Sequence, residues 1–235
     1  MSTKILSIVL SLIVLFTIFT SKTEAKSVYA ITDHGWRTGG GSAPSKISAY
    51  DINSSRIDCR TTLTLADMND YPTGMGAGPV ALAIDSNSGC MFVTHESWDY
   101  YGHIIKGIQI IQTLTMNDFG WTPAPGAANL AGVVFDNDKH KLYTVDRGTA
   151  NLFVYSWNSA TKTLTLDGGA PKTLANIQGA GGLALDEIDD ILYVTVLDMA
   201  DGHTPISNTV YCYDTNSWSL YETINITVNG QNAMP

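Results

Sequence analysis

The apolar and polar positions of this 235-residue chain repeat one phrase. Val80-Ala81-Leu82-Ala83-Ile84 runs into Asp85, a polar turn follows, and Met91-Phe92-Val93-Thr94 resumes the apolar run. The succession returns as Ala131-Gly132-Val133-Val134-Phe135-Asp136 with Leu142-Tyr143-Thr144-Val145. It returns again as Gly182-Leu183-Ala184-Leu185-Asp186 with Ile191-Leu192-Tyr193-Val194-Thr195. Small and branched apolar residues ending at Asp, then a turn, then aromatic and β-branched residues, spell a β-hairpin. The turns that open at Asp85, Asp136 and Asp186 supply side-chain acceptors for tight reversals.

The three aspartates stand 51 and 50 residues apart, and a fixed period of this size marks a repeat architecture. A second strand pair follows each hairpin, clearest at Asn208 to Asp214 and Trp218 to Thr227, so one period holds about four strands. The fold class expected is all-β: a β-propeller of about four four-stranded blades, at about 27–67, 78–129, 130–178 and 179–228. A β-sandwich ranks second, because it does not repeat one phrase at a constant interval. Gly and Ala crowd the first strand of each repeat, as an innermost strand around a narrow axis requires. In blade two the fourth strand is weak, somewhere between Thr115 and Trp121. Blade one starts at its second strand, since Val28-Tyr29-Ala30-Ile31 matches Leu142 to Val145. Its inner strand is missing from both ends of the chain, so an open or incomplete ring is expected, completed by further blades or by a partner.

Residues 1–25 place Lys4 before an apolar run from Ile5 to Thr20 and close on Thr23-Glu24-Ala25. This is the pattern of a secretory signal peptide cut after Ala25, which leaves 26–235 as the propeller domain and makes the protein secreted or extracytoplasmic. The run is shorter than the roughly 20 residues a membrane-spanning helix needs. Only 15% of residues are charged, and the net charge is −9. An acidic surface with no basic run argues against nucleic acid and anionic membrane as partners. Cys59, Cys90 and Cys212 are expected as unpaired, buried small hydrophobes, with a Cys59–Cys90 bond the open alternative that export permits. Gly74, Gly76 and Gly78 lead through Pro79 into a strand, which is the wrong context for a dinucleotide loop.

Leu192-Tyr193-Val194-Thr195 followed by Asn208-Thr209-Val210-Tyr211-Cys212-Tyr213-Asp214-Thr215 resembles the YVTN-type repeat, and more loosely the NHL-like repeat, of extracytoplasmic β-propellers. Val196 stands where that motif carries Asn, and there is no WD dipeptide. Such propellers include binding modules, scaffolds and enzymes, so the resemblance implies no single activity.

Loops joining second to third strands all leave the blades on one face and hold most of the unusual residues. They are Asp33-His34-Gly35-Trp36-Arg37, His95 to His103, Asp146-Arg147, and Asp198 with Asp201-Gly202-His203. The main expectation is a binding or scaffolding module. Asp33, His34, Trp36, His95, Trp98, Tyr100, Asp146 and Arg147 would form a face for a protein or glycan, with Trp36, Trp98, Tyr100 and Tyr101 as its aromatic platform. The alternative is the metal-dependent hydrolase that resemblance to propeller lactonases implies, with Glu96 and Asp146 as oxygen ligands of a divalent cation such as Ca2+. In that case His95, Glu96 and Asp146 would approach one another near the axis. A third reading makes all of them solvated loop residues. No G-x-S-x-G, H-E-x-x-H, C-x-x-C or P-loop motif sharpens the enzyme case.

Overall fold

A computed structural model describes residues 16–17, 26–32, 46–52, 57–64, 78–96, 107–177, 179–196, 209–228 and 231–232. No α-helix occurs among the described residues, and a single 3₁₀ turn at Asp167–Gly169 is the nearest approach to one. The chain is all-β and divides into two compact units, residues 1–74 and 75–235.

The first unit is one antiparallel sheet in the order β1 (Phe16–Thr17), β2 (Lys26–Thr32), β3 (Lys46–Ile52), β4 (Ile57–Thr64). Val28, Tyr29, Ala30, Ile31, Ile47 and Ala49 are its buried apolar residues, and Arg60 pairs with Asp51 at 3.2 Å on its rim. Phe16 and Thr17, inside the expected signal peptide, pair antiparallel with Tyr29 and Val28, two residues against the seven of β2. Residues 231–232 pair with 227–228, so among the described residues no C-terminal strand closes blade one, in line with the open ring expected. One sequence expectation changes, the burial of Cys59. Cys59 lies exposed on β4, the outer strand, while Cys90 and Cys212 are buried, and all three are unpaired.

The second unit holds three sheets built alike. They are β5 (Gly78–Asp85), β6 (Cys90–Glu96), β7 (Gly107–Gln112) and β8 (Asp118–Pro123); β9 (Leu130–Asp136), β10 (Lys141–Asp146), β11 (Asn151–Asn158) and β12 (Thr163–Leu166), with β13 (Lys172–Thr173) also paired to β11; and β14 (Ala180–Asp186), β15 (Ile191–Val196), β16 (Thr209–Asp214) and β17 (Leu220–Asn225). A short hairpin, β18 (Thr227–Val228) with β19 (Gln231–Asn232), follows. Strand β8 starts inside the Thr115–Trp121 window and runs two residues past it to Pro123; before it the chain turns around Met116 (φ 58°).

The repeated aspartates close the inner hairpins as turn formers. Asp85 Oδ1 accepts the N–H groups of Asn87 and Ser88 at 2.9 and 3.2 Å, Asp136 that of Lys139 at 2.7 Å, and Asp186 those of Ile188 and Asp189 at 3.0 and 3.1 Å. Each turn ends at a left-handed residue, Gly89, His140 or Asp190. The residues after the aspartates link blade to blade: Ser86 donates to Asn137 at 3.2 Å, and the Asn137 amide donates to Glu187 at 3.1 Å. Between blades two and three, Phe92, Ile108 and Ile110 pack on Phe135, Leu142, Phe153 and Trp157, whose indole N–H donates to buried Asp85 at 2.9 Å. Between blades three and four, Tyr143, Val145, Leu152 and Val154 pack on Leu192, Val194 and Tyr213. Inner strand β9 contacts both β5 and β14, the succession expected when blades turn about one axis.

Candidate functional site at the ends of the second strands

His95, Asp146 and Val196 occupy equivalent places: each sits at the end of a second strand, opposite Pro79, Leu130 and Ala180 at the start of the inner strand. In every case the register shifts one step earlier, a β-bulge that re-aims the strand end. The structure therefore brings two sequence candidates, His95 and Asp146, to the same level of successive blades. Glu96 ends β6 with its backbone opposite Gly78; its side chain lies outside the described residues. Asp33, His34, Trp36, Trp98, Tyr100 and Tyr101, together with Asp198, Asp201 and His203, lie outside them as well.

Asp146 is completely buried. Its carboxylate accepts the N–H groups of Ala128, Asn129 (3.2 Å to either oxygen), Gly148 (2.8 Å) and Thr149 (3.0 Å). A carboxylate has about four lone-pair sites, and four backbone donors use them. Asp146 thus ties the chain entering β9 to the loop leaving β10. Beside it Arg147 donates its N–H to the Asn129 carbonyl at 2.7 Å, and its own carbonyl accepts from Gly179 at 3.1 Å. Both Asp146 oxygens are thereby engaged by backbone donors from the two chain segments that meet at this strand end. Among the described residues no three His, Cys, Asp or Glu side chains gather to hold a metal.

His95 is a different kind of group. It is 2% exposed, on the face of β6 that turns away from blade three, and its ring lies 4.3 Å from that of Trp121 on β8. Its Nε2 lies 3.1 Å from Gln109 Oε1, and the Gln109 amide nitrogen donates to Asp118 Oδ2 at 2.7 Å. An ionised carboxylate only accepts, so it must face the NH2 of Gln109, which turns Oε1 toward the imidazole. That oxygen needs a donor, so Nε2 carries the hydrogen, and Nδ1 of the neutral ring is a bare lone pair. Nδ1 is buried, and among the described residues it has no hydrogen-bond partner. Burial holds the imidazole pKa down at about 4, and Gln109 and Asp118 offset part of that shift.

A pH dependence follows with a definite sign. The unfolded imidazole takes up a proton near pH 6.5 and the folded one only near 4, so the unfolded state binds more protons between those values. Stability from this residue is complete above about pH 6.5 and falls as the pH drops toward about 4. The whole effect is on the order of 3 kcal/mol. Urea unfolding at pH 7 and pH 4.5 should show His95→Gln losing less stability on acidification than the parent chain. Equal losses would contradict the buried neutral state.

Gln109, Asp118 and Trp121 are absent from the sequence-derived candidates. The one signal was Gln109 between Ile108 and Ile110 on β7, which reads as a solvent-facing position of an alternating strand; it is 1% exposed.

No protein-family model matches the chain, and no curated protein matches it. Solved structures do. The periplasmic gluconolactonase of Pseudomonas aeruginosa superposes with a TM-score of 0.61 at 16% identity, over 87% of this chain and 55% of that one. A putative 6-phosphogluconolactonase of Bacteroides fragilis gives 0.57 at 17%, over 88% and 56%. A luciferin-regenerating enzyme gives 0.58 at 13%, over 92% and 63%. The chain spans little more than half the length of the first two. Likeness at this identity establishes the fold, a β-propeller.

Proposed function

We propose that this chain carries the site of an extracytoplasmic hydrolase acting on lactones. The observation that carries the reading is the bare, buried Nδ1 of His95 at the strand-end level where the candidate loops begin. Two of the structural neighbours are described as lactonases, which supports the same chemistry. A lactone needs one water activated at its carbonyl carbon. His95 Nδ1 takes a proton from that water as the new C–O bond forms. The ring C–O bond then breaks, and the leaving oxygen recovers the proton, giving the open hydroxy acid. No step passes through a metal. Asp118, held through Gln109, offsets the positive charge of the transient imidazolium.

The test is hydrolysis of δ-gluconolactone and other hydroxylated lactones by the full chain, followed by acid release. His95→Asn should lower kcat at least 100-fold, the lower end of general-base effects. An unchanged rate would overturn the proposal and leave the binding-module reading, for a protein or glycan partner, as the better one. That reading draws on Trp36, Trp98 and Tyr100.

A further inference from the structure

The arrangement around His95 depends on an irregularity in β8. Strands β7 and β8 pair as Gln109 with Trp121 and Ile110 with Gly120, but Ile111 then pairs with Asp118, so Phe119 is an extra residue. In a regular strand two residues three apart point to opposite faces. The extra residue puts Asp118 and Trp121 on the same face, beside Gln109, and leaves Phe119 41% exposed. Gly120 makes this possible: its φ of 104° lies where side chains are disfavoured, and an added Cβ would meet nothing within 4 Å, so backbone conformation alone demands glycine. The Gly120 N–H donates to Asp118 Oδ1 at 2.7 Å, which fixes the carboxylate while its Oδ2 receives Gln109. A solvent-edge carboxylate, a buried amide and a buried imidazole are thereby joined in one directed line, and Trp121 lies against the ring.

Resting on the hydrolase reading above, we infer that Gln109 and Asp118 are positioning residues that set the tautomer of His95, keeping hydrogen on Nε2 and presenting Nδ1 as the proton acceptor. Asp118 fixes the amide, the amide fixes the imidazole, and the imidazole then has one nitrogen left for an incoming hydroxyl or water. The ordering is electrostatic and geometric, so it precedes any substrate. An unpaired buried acceptor is costly, and a hydroxyl or water donating to Nδ1 would relieve that cost.

Histidine-ring 15N NMR of the full chain reads this directly, without any assay of activity. His95 should show a protonated Nε2 and an unprotonated Nδ1 across pH 5 to 8. Gln109→Leu removes the acceptor for Nε2–H and should move both nitrogens toward averaged shifts, with kcat lowered roughly 10-fold and KM changed less than about twofold. Gln109→Glu keeps an acceptor facing Nε2, so it should retain the tautomer while raising the pH at which His95 titrates. If Gln109→Leu does not fold, Gln109→Glu carries the test alone. Asp118→Asn, a change at an exposed residue, should lower the titration pH. A native ring protonated on Nδ1, or ring shifts indifferent to Gln109→Leu, or titration moved downward by Gln109→Glu, would overturn the inference. A native ring with the stated tautomer in a chain that opens no lactone would sink the hydrolase reading and leave the positioning role standing.

Discussion

Asp146→Ala is expected to cost roughly 3 kcal/mol of stability or more, because it breaks a buried hydrogen-bond network and leaves several donors unsatisfied. The reason is arithmetic on donors. Ala128, Asn129, Gly148 and Thr149 all give their N–H groups to one buried carboxylate, and its removal leaves them to find water or each other. Asp146→Asn should cost less, but still more than 1 kcal/mol, because its NH2 cannot accept. Both losses should be the same with Ca2+ and with a chelator, since the oxygens are used by the backbone. Urea unfolding of the three proteins under both conditions makes the measurement. A Ca2+-dependent stability gap between the parent chain and Asp146→Asn would place the residue in the ligand role that the resemblance to propeller lactonases implied.

Gly132→Ala tests the crowding of the inner strands. A Cβ at Gly132 would lie 2.8 Å from the backbone nitrogen of Leu183 and 3.0 Å from Gly181 O and Gly182 C, all on the neighbouring inner strand β14. Backbone cannot rotate away as a side chain can, so β9 and β14 must separate, at a cost of about 1–3 kcal/mol from overpacking. Gly182→Ala is the control: its Cβ would meet only Thr195 Oγ1, at 2.8 Å, a side-chain atom that can turn away at the cost of its hydrogen bond from the Gly182 N–H. The urea midpoint should fall further for Gly132→Ala than for Gly182→Ala. Equal shifts would mean that the close approach of the inner strands does not limit the packing.

Three features were readable directly because they are local. The period of Asp85, Asp136 and Asp186 sets the blade length, the apolar alternation around each sets the hairpin, and the aspartates serve their own turns within three residues. Glycine and alanine in the first strands announced the axis, and Gly132 against β14 is the contact behind that signal. What depended on a bulge was harder to read. The extra residue Phe119 in β8 is a matter of pairing between strands and leaves no periodic mark.

The candidate site divides along the same line. His95 and Asp146 were nameable from residue type and from their place after a second strand, but the sequence read both as loop residues with chemistry facing outward. Burial and pairing reversed that for Asp146, whose oxygens are consumed by its own backbone. For His95 they selected one nitrogen. Its partners come from β7 and β8, Gln109 14 residues away and Asp118 beyond it, and a single extra residue in β8 decides whether that carboxylate faces the ring. The chain by itself determined the repeat, the hairpins and the turns, because those follow from short-range alternation and side-chain hydrogen bonding. Which polar groups are buried, which lone pair stays bare and which carboxylate the backbone engages were decided only by the tertiary structure, because strand register and desolvation depend on residues far apart in the chain.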